Sequence, residues 1–329
     1  MQKLRAARIL GWGKALPDRV LSNQELERIV DTSDEWIRTR TGIRERRIAA
    51  PDTAASDLAL LAAQEALAKA NLTVEKVDLI IVATVTPDMV FPATACLVQS
   101  RLGASRAAGF DLEAGCSGFL YALATGREFV ASRTYDHVLV IGVEVLSRIL
   151  NWQDRNTCVL FGDGAGAIVL GPAPLGEGIL STYLGADGAG GGLLSVPAGG
   201  SRRPVDQDVL ATGAQYIQMN GSEVFKFAVR VMGEASLKAL ERAGLDLSAV
   251  SYLVPHQANQ RIIDAAAKRL RLSPDRVIVN LDRYGNMSSA SIPVALAEAA
   301  DEGCFKSGDV LVLVGFGAGL TWGASVVRW

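Results

Sequence analysis

The chain is poor in the residues from which metal sites and disulfide scaffolds are built. Its 329 residues include two histidines and four cysteines, at 96, 116, 158 and 304, with no CxxC pair. That spacing excludes a structural zinc site and a disulfide framework, and it fits a reducing compartment. Long apolar runs are missing too. The longest, such as Leu79–Val85 and Val310–Phe316, are far too short to cross a bilayer. The opening MQKLRAARILGWGKALP carries charges and lacks the sustained apolar core of a secretory leader. There is no excess of positive charge: 33 Lys and Arg against 35 Asp and Glu give a net charge of −2. This argues against a general affinity for nucleic acid or anionic membranes, so any basic site must be local. These absences predict a soluble cytoplasmic protein.

What is present is apolar material in abundance. At 49% hydrophobic residues the chain has enough for a large interior, and its length suggests two domains or one duplicated unit. The sequence favours duplication. Glu65–Ala83 aligns without gaps on Lys238–His256, a shift of 173 (238 − 65), with Ala66, Leu67, Ala70, Leu72 and Val77 matching Ala239, Leu240, Ala243, Leu245 and Val250. The same shift places Val138–Gly142 on Leu311–Gly315. Phe161–Leu170 corresponds to Phe316–Val327, which has two extra residues, and a three-residue gap sets Gly115-Cys116 on Gly285-Asn286. The expectation is an α/β fold of two similar halves, 1–172 and 173–329, each with a mostly parallel buried sheet covered by helices.

Local patterns fill in the elements. Ser22 or Asn23, with Glu25 behind, caps a helix in Val20–Val30. Helices are expected over Ser56–Ala70 and over Phe91–Arg101 behind Pro92, and strands over Val77–Thr84, Ala107–Leu112 and His137–Gly142. Gly185–Thr212, rich in Gly, Pro, Ser and Asp, reads as a long loop or lid.

Candidate chemistry gathers on three turns. Cys116 lies in Gly115-Cys116-Ser117-Gly118, between a strand and an apolar helix, where free N–H groups favour a thiolate and a pKa below the free value of ~8.5. His256 ends a strand in VPHQANQRI, with Asn259 capping the next helix, and Asn286 sits in YGNMSS, another glycine turn before a helix. His137 opens a strand without polar company and reads as structural. In the duplicate, Cys116 and Asn286 share equivalent turns and His256 ends a separate strand, so the three meet near the pseudo-twofold axis. A thiolate that accepts an acyl group from a thioester, with His and Asn donating to one carbonyl oxygen, is one reading. A protease-like Cys-His-Asn triad, in which Asn orients His, is the other. The glycines of FGDGAGA, residues 161–167, lack the spacing and βαβ context of a dinucleotide site and read as close backbone packing.

Taken together, AGCSGF around Cys116, VPHQANQRI, YGNMSSASIP, FGDGAGA and the C-terminal FGAGLTWG resemble β-ketoacyl-acyl-carrier-protein synthase III of the thiolase superfamily. The likeness runs from about residue 5 to Trp329 and includes DTSDEWIRTRTGI at 31–43. It implies a duplicated αβαβα layered fold and the initiating condensation of type II fatty-acid synthesis, from acyl-CoA and malonyl carrier protein, in a homodimer. Coenzyme A would then be part of a substrate, with no separate cofactor and no metal. It also implies that Cys116 is acylated, that His256 and Asn286 bind the malonyl carbonyl, and that the backbone N–H groups of Cys116 and Ala318 form an oxyanion hole. Trp36 and Arg155 would sandwich the adenine; Thr32, Arg40, Gly221, Phe225 and Asn259 would line the pantetheine tunnel. Phe91 would reach the partner subunit's acyl pocket, with Leu146 near the pocket floor. Arg261, Lys268 and Arg271, at i, i+7 and i+10 on one helical face, would meet the acidic carrier protein. FGAG and AGCSG stand where other members have FGGG and AACAG; neither change removes a backbone donor. Rival functions are a polyketide or quinolone starter enzyme, a plain acyltransferase on this scaffold, or a catalytically silent binding protein.

Overall fold

The structure, a computed structural model, describes residues 5–329; Met1–Leu4, where the leader reading begins, lie outside it. Two sheets carry the chain. The first has the order Ala6–Ala15, Gly164–Ala173, Val138–Glu144, Leu79–Ala83, Ala108–Leu112. The second has the order Tyr252–Pro255, Val310–Gly317, Thr321–Arg328, Gly178–Ala186. In each sheet parallel pairing lies at one end and antiparallel pairing at the other. Two of four pairs are parallel in the first and one of three in the second, so neither sheet is mostly parallel as expected: the strands that return directly beside their neighbours pair antiparallel.

The duplication holds down to the register. Ile80 faces Leu139 in one sheet and Leu253 faces Val312 in the other, and both residues are displaced by 173 (253 − 80 and 312 − 139). The strand Ala108–Leu112 has only a remnant counterpart, the single parallel bridge between Leu253 and Val277.

Helices make the layers. Gly118–Ala131 and Ser291–Asp301 pack between the sheets, Ala55–Lys69 and Thr94–Leu102 cover one outer face, and Gly221–Ala243 with Gln260–Arg269 covers the other. The result is the expected αβαβα order. The sequence dictates which helix goes where. Phe119, Leu120, Ala122, Leu123 and Val130 leave almost no polar side on Gly118–Ala131, and a helix apolar all round has to be buried. Each fully buried Leu or Phe there stabilises the fold by about 1.5–3 kcal/mol, so Leu120→Ala is expected to cost about 2–5 kcal/mol.

Four more expectations need correction. The three-residue gap is wrong at the second junction. The turn Gly115–Ser117 leads into Gly118–Ala131, and the turn Ser288–Ala290 leads into Ser291–Asp301, so the shift stays at 173 (288 − 115 and 291 − 118). Gly115 and Ser288 even share a left-handed backbone, with φ of +53° and +45°. Cys116 is therefore matched by Ser289. Asn286 follows the helical turn Leu281–Tyr284, which stands where the first half has the strand Ala108–Leu112 (281 − 108 = 173). Next, the helix behind Pro92 begins only at Thr94. In Gly185–Thr212, the segment Gln207–Thr212 is helical, with Asp206 accepting from the Val209 N–H, and Leu194–Ser195 pairs with Gln218–Met219. Finally, the helix after His256 ends at Arg269, so Arg271, with φ +57°, lies beyond it.

Candidate active site

The glycines on Val310–Gly317 decide what can approach this strand. Gly315 and Gly317 point the same way, two residues apart. A Cβ at Gly315 would lie 3.3 Å from the Cβ of His256; one at Gly317 would lie 2.3 Å from the backbone nitrogen of Cys116. The strand thus brings Cys116 and His256 to one face. Gly115 plays the reciprocal part: its φ of +53° suits glycine, and a Cβ there would sit 2.7 Å from the nitrogen of Ala318. With both side chains reduced to hydrogen, the backbones of Cys116 and Ala318 come close together, and their N–H groups favour the charged form of the cysteine sulfur.

Cys116 is buried, and burial pushes its thiol up to about 12. The Ser288 hydroxyl and the two backbone N–H groups oppose that rise, while the nearby Glu144 carboxylate adds to it. The expected lowering at the helix mouth is not found. The free N–H groups are there, but desolvation outweighs them.

His256 follows the last residue of Tyr252–Pro255; its N–H donates to the Val314 carbonyl (2.7 Å) and its ring meets Phe316 edge-on at 5.6 Å. Burial lowers its pKa to about 3, so the imidazole is neutral at ordinary pH. Its Nδ1 is buried without a partner. Asn286 is pinned through its backbone to Leu160 (2.8 Å) and Gly162 (3.0 Å), and its carboxamide oxygen accepts from the Ser288 N–H at 2.8 Å. The carboxamide NH2 is left as the donor. The Asn286 oxygen is taken by Ser288, and among the described residues no hydrogen bond joins Asn286 to the imidazole, so the orienting contact of a protease-like triad is not formed.

The glycines of 161–167 pack as expected. A Cβ at Gly162 would lie 2.4 Å from the Tyr284 carbonyl oxygen and one at Gly166 would lie 2.6 Å from the Val294 nitrogen. His137 precedes Val138–Glu144, its N–H bonded to Asp78 (2.9 Å), away from the site.

A cleft of about 700 Å³ opens beside Trp36, with Leu160, Gly192, Met219 and Gly221 among its walls. Trp36 is half-buried. The guanidiniums of Arg40 and Arg155 already lie over its ring, at 5.0 and 5.2 Å from the centroid, so a base could stack there only after one moves aside. Gly221 starts the helix behind the Asn220 cap, and Phe225 one turn on carries the Arg261 guanidinium at 4.8 Å. The Thr32 hydroxyl is buried without a partner. Asn259 caps its helix through the Arg261 N–H and donates to the Arg40 carbonyl at 2.9 Å, a structural clasp. Leu146 is buried with Leu150, Phe161 and Ile217. Phe91 stands 82% exposed beside Val90. Lys268 and Arg271 line a common cleft, separate from Arg261 on Phe225.

Sequence reasoning missed Glu144. The strand expected over His137–Gly142 continues to this residue, which is wholly buried, and its carboxylate is bonded by Thr86 (2.7 Å), Ser289 (2.8 Å) and Ser288 (3.0 Å). The available signal was an acidic residue closing an apolar strand.

Comparison with known proteins agrees with this site. Residues 110–188 match the family model "3-Oxoacyl-[acyl-carrier-protein (ACP)] synthase III" and residues 240–329 match that of its C-terminal part. The β-ketoacyl-[acyl-carrier-protein] synthase III of Symbiobacterium thermophilum is 62% identical over 99% of both chains. The crystal structure of the 3-oxoacyl-[acyl-carrier-protein] synthase III of Aquifex aeolicus is 49% identical, with a TM-score of 0.91 over 98% of this chain and 100% of that one. The priming β-ketosynthase of the R1128 polyketide pathway is 36% identical, with a TM-score of 0.92 over 100% of this chain and 97% of that one. With Cys116 and His256 on one face of a glycine-bearing strand and Asn286 buried beside Ser288, the chain belongs to the 3-oxoacyl-[acyl-carrier-protein] synthase III family, the condensing acyltransferases that initiate fatty-acid synthesis.

Proposed function

We propose that this chain joins an acyl-CoA primer to malonyl-acyl carrier protein, releasing carbon dioxide and giving a 3-oxoacyl carrier-protein thioester, through an acyl-Cys116 intermediate. The observation that carries this is the close approach of the Cys116 and Ala318 backbones beside a buried cysteine, which only glycine at 115 and 317 allows and which brings both N–H groups near the sulfur. Donors placed there stabilise the oxyanion of a tetrahedral intermediate as acyl passes to and from sulfur. His256 and Asn286 serve the other half-reaction. A neutral imidazole and a carboxamide NH2 can both donate to the malonyl thioester carbonyl and stabilise the enolate left by decarboxylation.

Trp36, Arg40 and Arg155 at the mouth of the cleft bind the coenzyme A end, and Thr32, Gly221, Phe225 and Asn259 border the path inward. Arg261, with Lys268 and Arg271 beyond, meets the carrier protein. Phe91 and Val90, at 82% and 90% exposure, leave apolar surface that a second copy covers, so the working enzyme is a homodimer whose Phe91 reaches the partner's acyl pocket near Leu146. Residues 1–172 and 173–329 are its two halves. Four unpaired cysteines suit a reducing, cytoplasmic setting; among the described residues no helix is long and apolar enough to cross a membrane.

An acyl-CoA panel with malonyl carrier protein, following acyl-enzyme mass, product and carbon dioxide together, tests the reading. An adduct on Cys116 followed by stoichiometric carbon dioxide and 3-oxoacyl product is expected. An adduct without carbon dioxide would indicate a plain acyltransferase, and no adduct a binding protein.

A further inference from the structure

The thiol proton has no evident destination among the residues assigned so far. Cys116 is buried with its thiol held in the neutral form, yet acylation requires the sulfur to lose a proton as its bond to the acyl carbon forms. His256 is a poor acceptor, because burial has already made the imidazole reluctant to charge.

A carboxylate stands one hydroxyl away. The Ser288 hydroxyl donates to Oε1 of Glu144 at 3.0 Å, and the turn that carries it packs on the turn of Cys116, whose sulfur the hydroxyl faces. Both residues are buried, Glu144 wholly. The carboxylate takes further bonds from the Thr86 hydroxyl (2.7 Å), the Val85 N–H (3.2 Å) and the Ser289 hydroxyl (2.8 Å). It forms no ion pair among the described residues. The groups facing it are thus hydroxyls and N–H from the segment after Leu79–Ala83 and from the Ser288–Ala290 turn. Cys116, from the other junction, is its titratable neighbour. On the paired strand, Asp163, next to the opposed Gly164, is engaged by Ala49 and Ser147.

We propose that Glu144 takes the Cys116 proton through the Ser288 hydroxyl and holds it while the cysteine is acylated. In the first half-reaction the S–H proton passes to Ser288 Oγ as the Ser288 proton passes to Glu144. The sulfur forms its bond to the acyl carbon, the bond from that carbon to the coenzyme A sulfur breaks, and the departing coenzyme A thiolate takes a proton from solvent. In the second, loss of carbon dioxide leaves the enolate, which forms the carbon–carbon bond as the acyl–S bond breaks. The Cys116 thiolate then recovers its proton from Glu144 by the reverse path. One solvent proton is consumed per turnover, and the enzyme ends as it began. Burial raises the Glu144 carboxyl to about 7, which lets it act as acceptor and donor near neutral pH.

This rests on Cys116 being the acylated residue, and the experiment separates the two claims. Single-turnover acylation by acetyl-CoA is followed by intact mass from pH 5.5 to 9.5, with folding checked by thermal melting. The wild-type rate is expected to rise through about pH 7 and level off. Glu144→Gln, which keeps the size but exchanges one acceptor oxygen for an NH2 and accepts no proton, should lose about 10²-fold in rate and that pH limb. Glu144→Asp should restore part of both. Ser288→Ala should reproduce the loss, and the Glu144→Gln, Ser288→Ala double variant should be no worse than about threefold beyond either single one. Wild-type rate and pH profile in Glu144→Gln, or in Ser288→Ala where Glu144→Gln does not fold, overturn the relay while leaving Cys116 acylated. A wild-type protein with no adduct on Cys116 overturns the nucleophile assignment and the relay with it.

Discussion

The two strand-to-helix junctions of this molecule are the same piece of backbone used for opposite ends. In the first half a tight turn presents Cys116; in the second, 173 residues on, the equivalent turn presents Ser289. Each turn faces the end of a strand from the other half. Cys116 meets Gly317, whose missing side chain lets the sulfur sit against backbone N–H groups. Ser289 meets Glu144, the residue equivalent to Gly317 (317 − 144 = 173), whose carboxylate fills that space and collects hydroxyls. In the proposed mechanism one strand-end side chain, hydrogen or carboxylate, decides whether a junction serves as an oxyanion hole or a proton store. The symmetry of the fold places both within one hydroxyl of each other.

The largest effect should come from trying to exchange the roles. Cys116→Ala abolishes the acyl adduct, and adding Ser289→Cys does not restore it, because the transplanted thiol faces a carboxylate instead of N–H donors. An adduct on residue 289 by mass spectrometry would break the comparison.

Next is the strand end. Gly317→Ala drives a methyl group to within 2.3 Å of the Cys116 nitrogen. Acylation should fall by ~10²–10³, the cost of losing an oxyanion donor, with a stability loss of about 1–3 kcal/mol from overpacking. Its counterpart Ser289→Ala, which loses bonds to Glu144 and the Ala83 carbonyl, should cost about 1–3 kcal/mol of stability and leave acylation within severalfold. Single-turnover rates and melting curves for the pair sharpen the contrast.

Stability against pH should separate the two buried groups. Glu144 has its pKa raised in the folded state, to about 7 against 4.5. Its neutral form therefore favours folding fully below pH 4.5, and about 3 kcal/mol of that is lost as pH rises through 7. His256 is lowered to about 3 against 6.5. Its neutral form favours folding fully above pH 6.5, and about 5 kcal/mol is lost as pH falls through 3. Denaturant titrations across this range should show Glu144→Gln flattening the upper limb and His256→Gln the lower; unchanged slopes would remove the burial argument.

The smallest effects lie at the mouth, outside the duplicated core. Trp36→Ala should raise the acyl-CoA KM by the ~1–3 kcal/mol of base stacking and leave the malonyl carrier-protein KM nearly unchanged. Arg261→Glu should do the reverse, most strongly at low salt.

The duplicated fold was legible because apolar strands and alanine-rich helices repeat at a fixed shift that survives in the strand register. The junctions were legible as turns, since glycine and a following apolar helix announce them, but their pairing was misread. Asn286 follows a glycine just as Cys116 does, and only the backbone shows that a helical turn, Leu281–Tyr284, stands ahead of it where the first half has a strand. The thiol was misjudged for a different reason. A sequence shows the helix mouth and hides the depth of burial, which here is the larger influence. Glu144 was hidden because its partners, Thr86, Ser288 and Ser289, are drawn from distant segments. Arg261 and Arg271 looked like one stripe because helical periodicity was extended past the last turn.

The proposed catalysis turns on the division of labour between the junction that holds Cys116 and the pair His256 and Asn286. The direct measurement traps the acyl-enzyme formed from acetyl-CoA in His256→Ala and Asn286→Ala, then follows carbon dioxide released from malonyl carrier protein. Both variants are expected to form acyl-Cys116, at reduced rate, and to lose carbon dioxide release by ~10²–10³ or more. If His256→Ala abolishes acylation while a pre-acylated enzyme still decarboxylates, the histidine serves the thiol and the assignment of the two half-reactions is wrong.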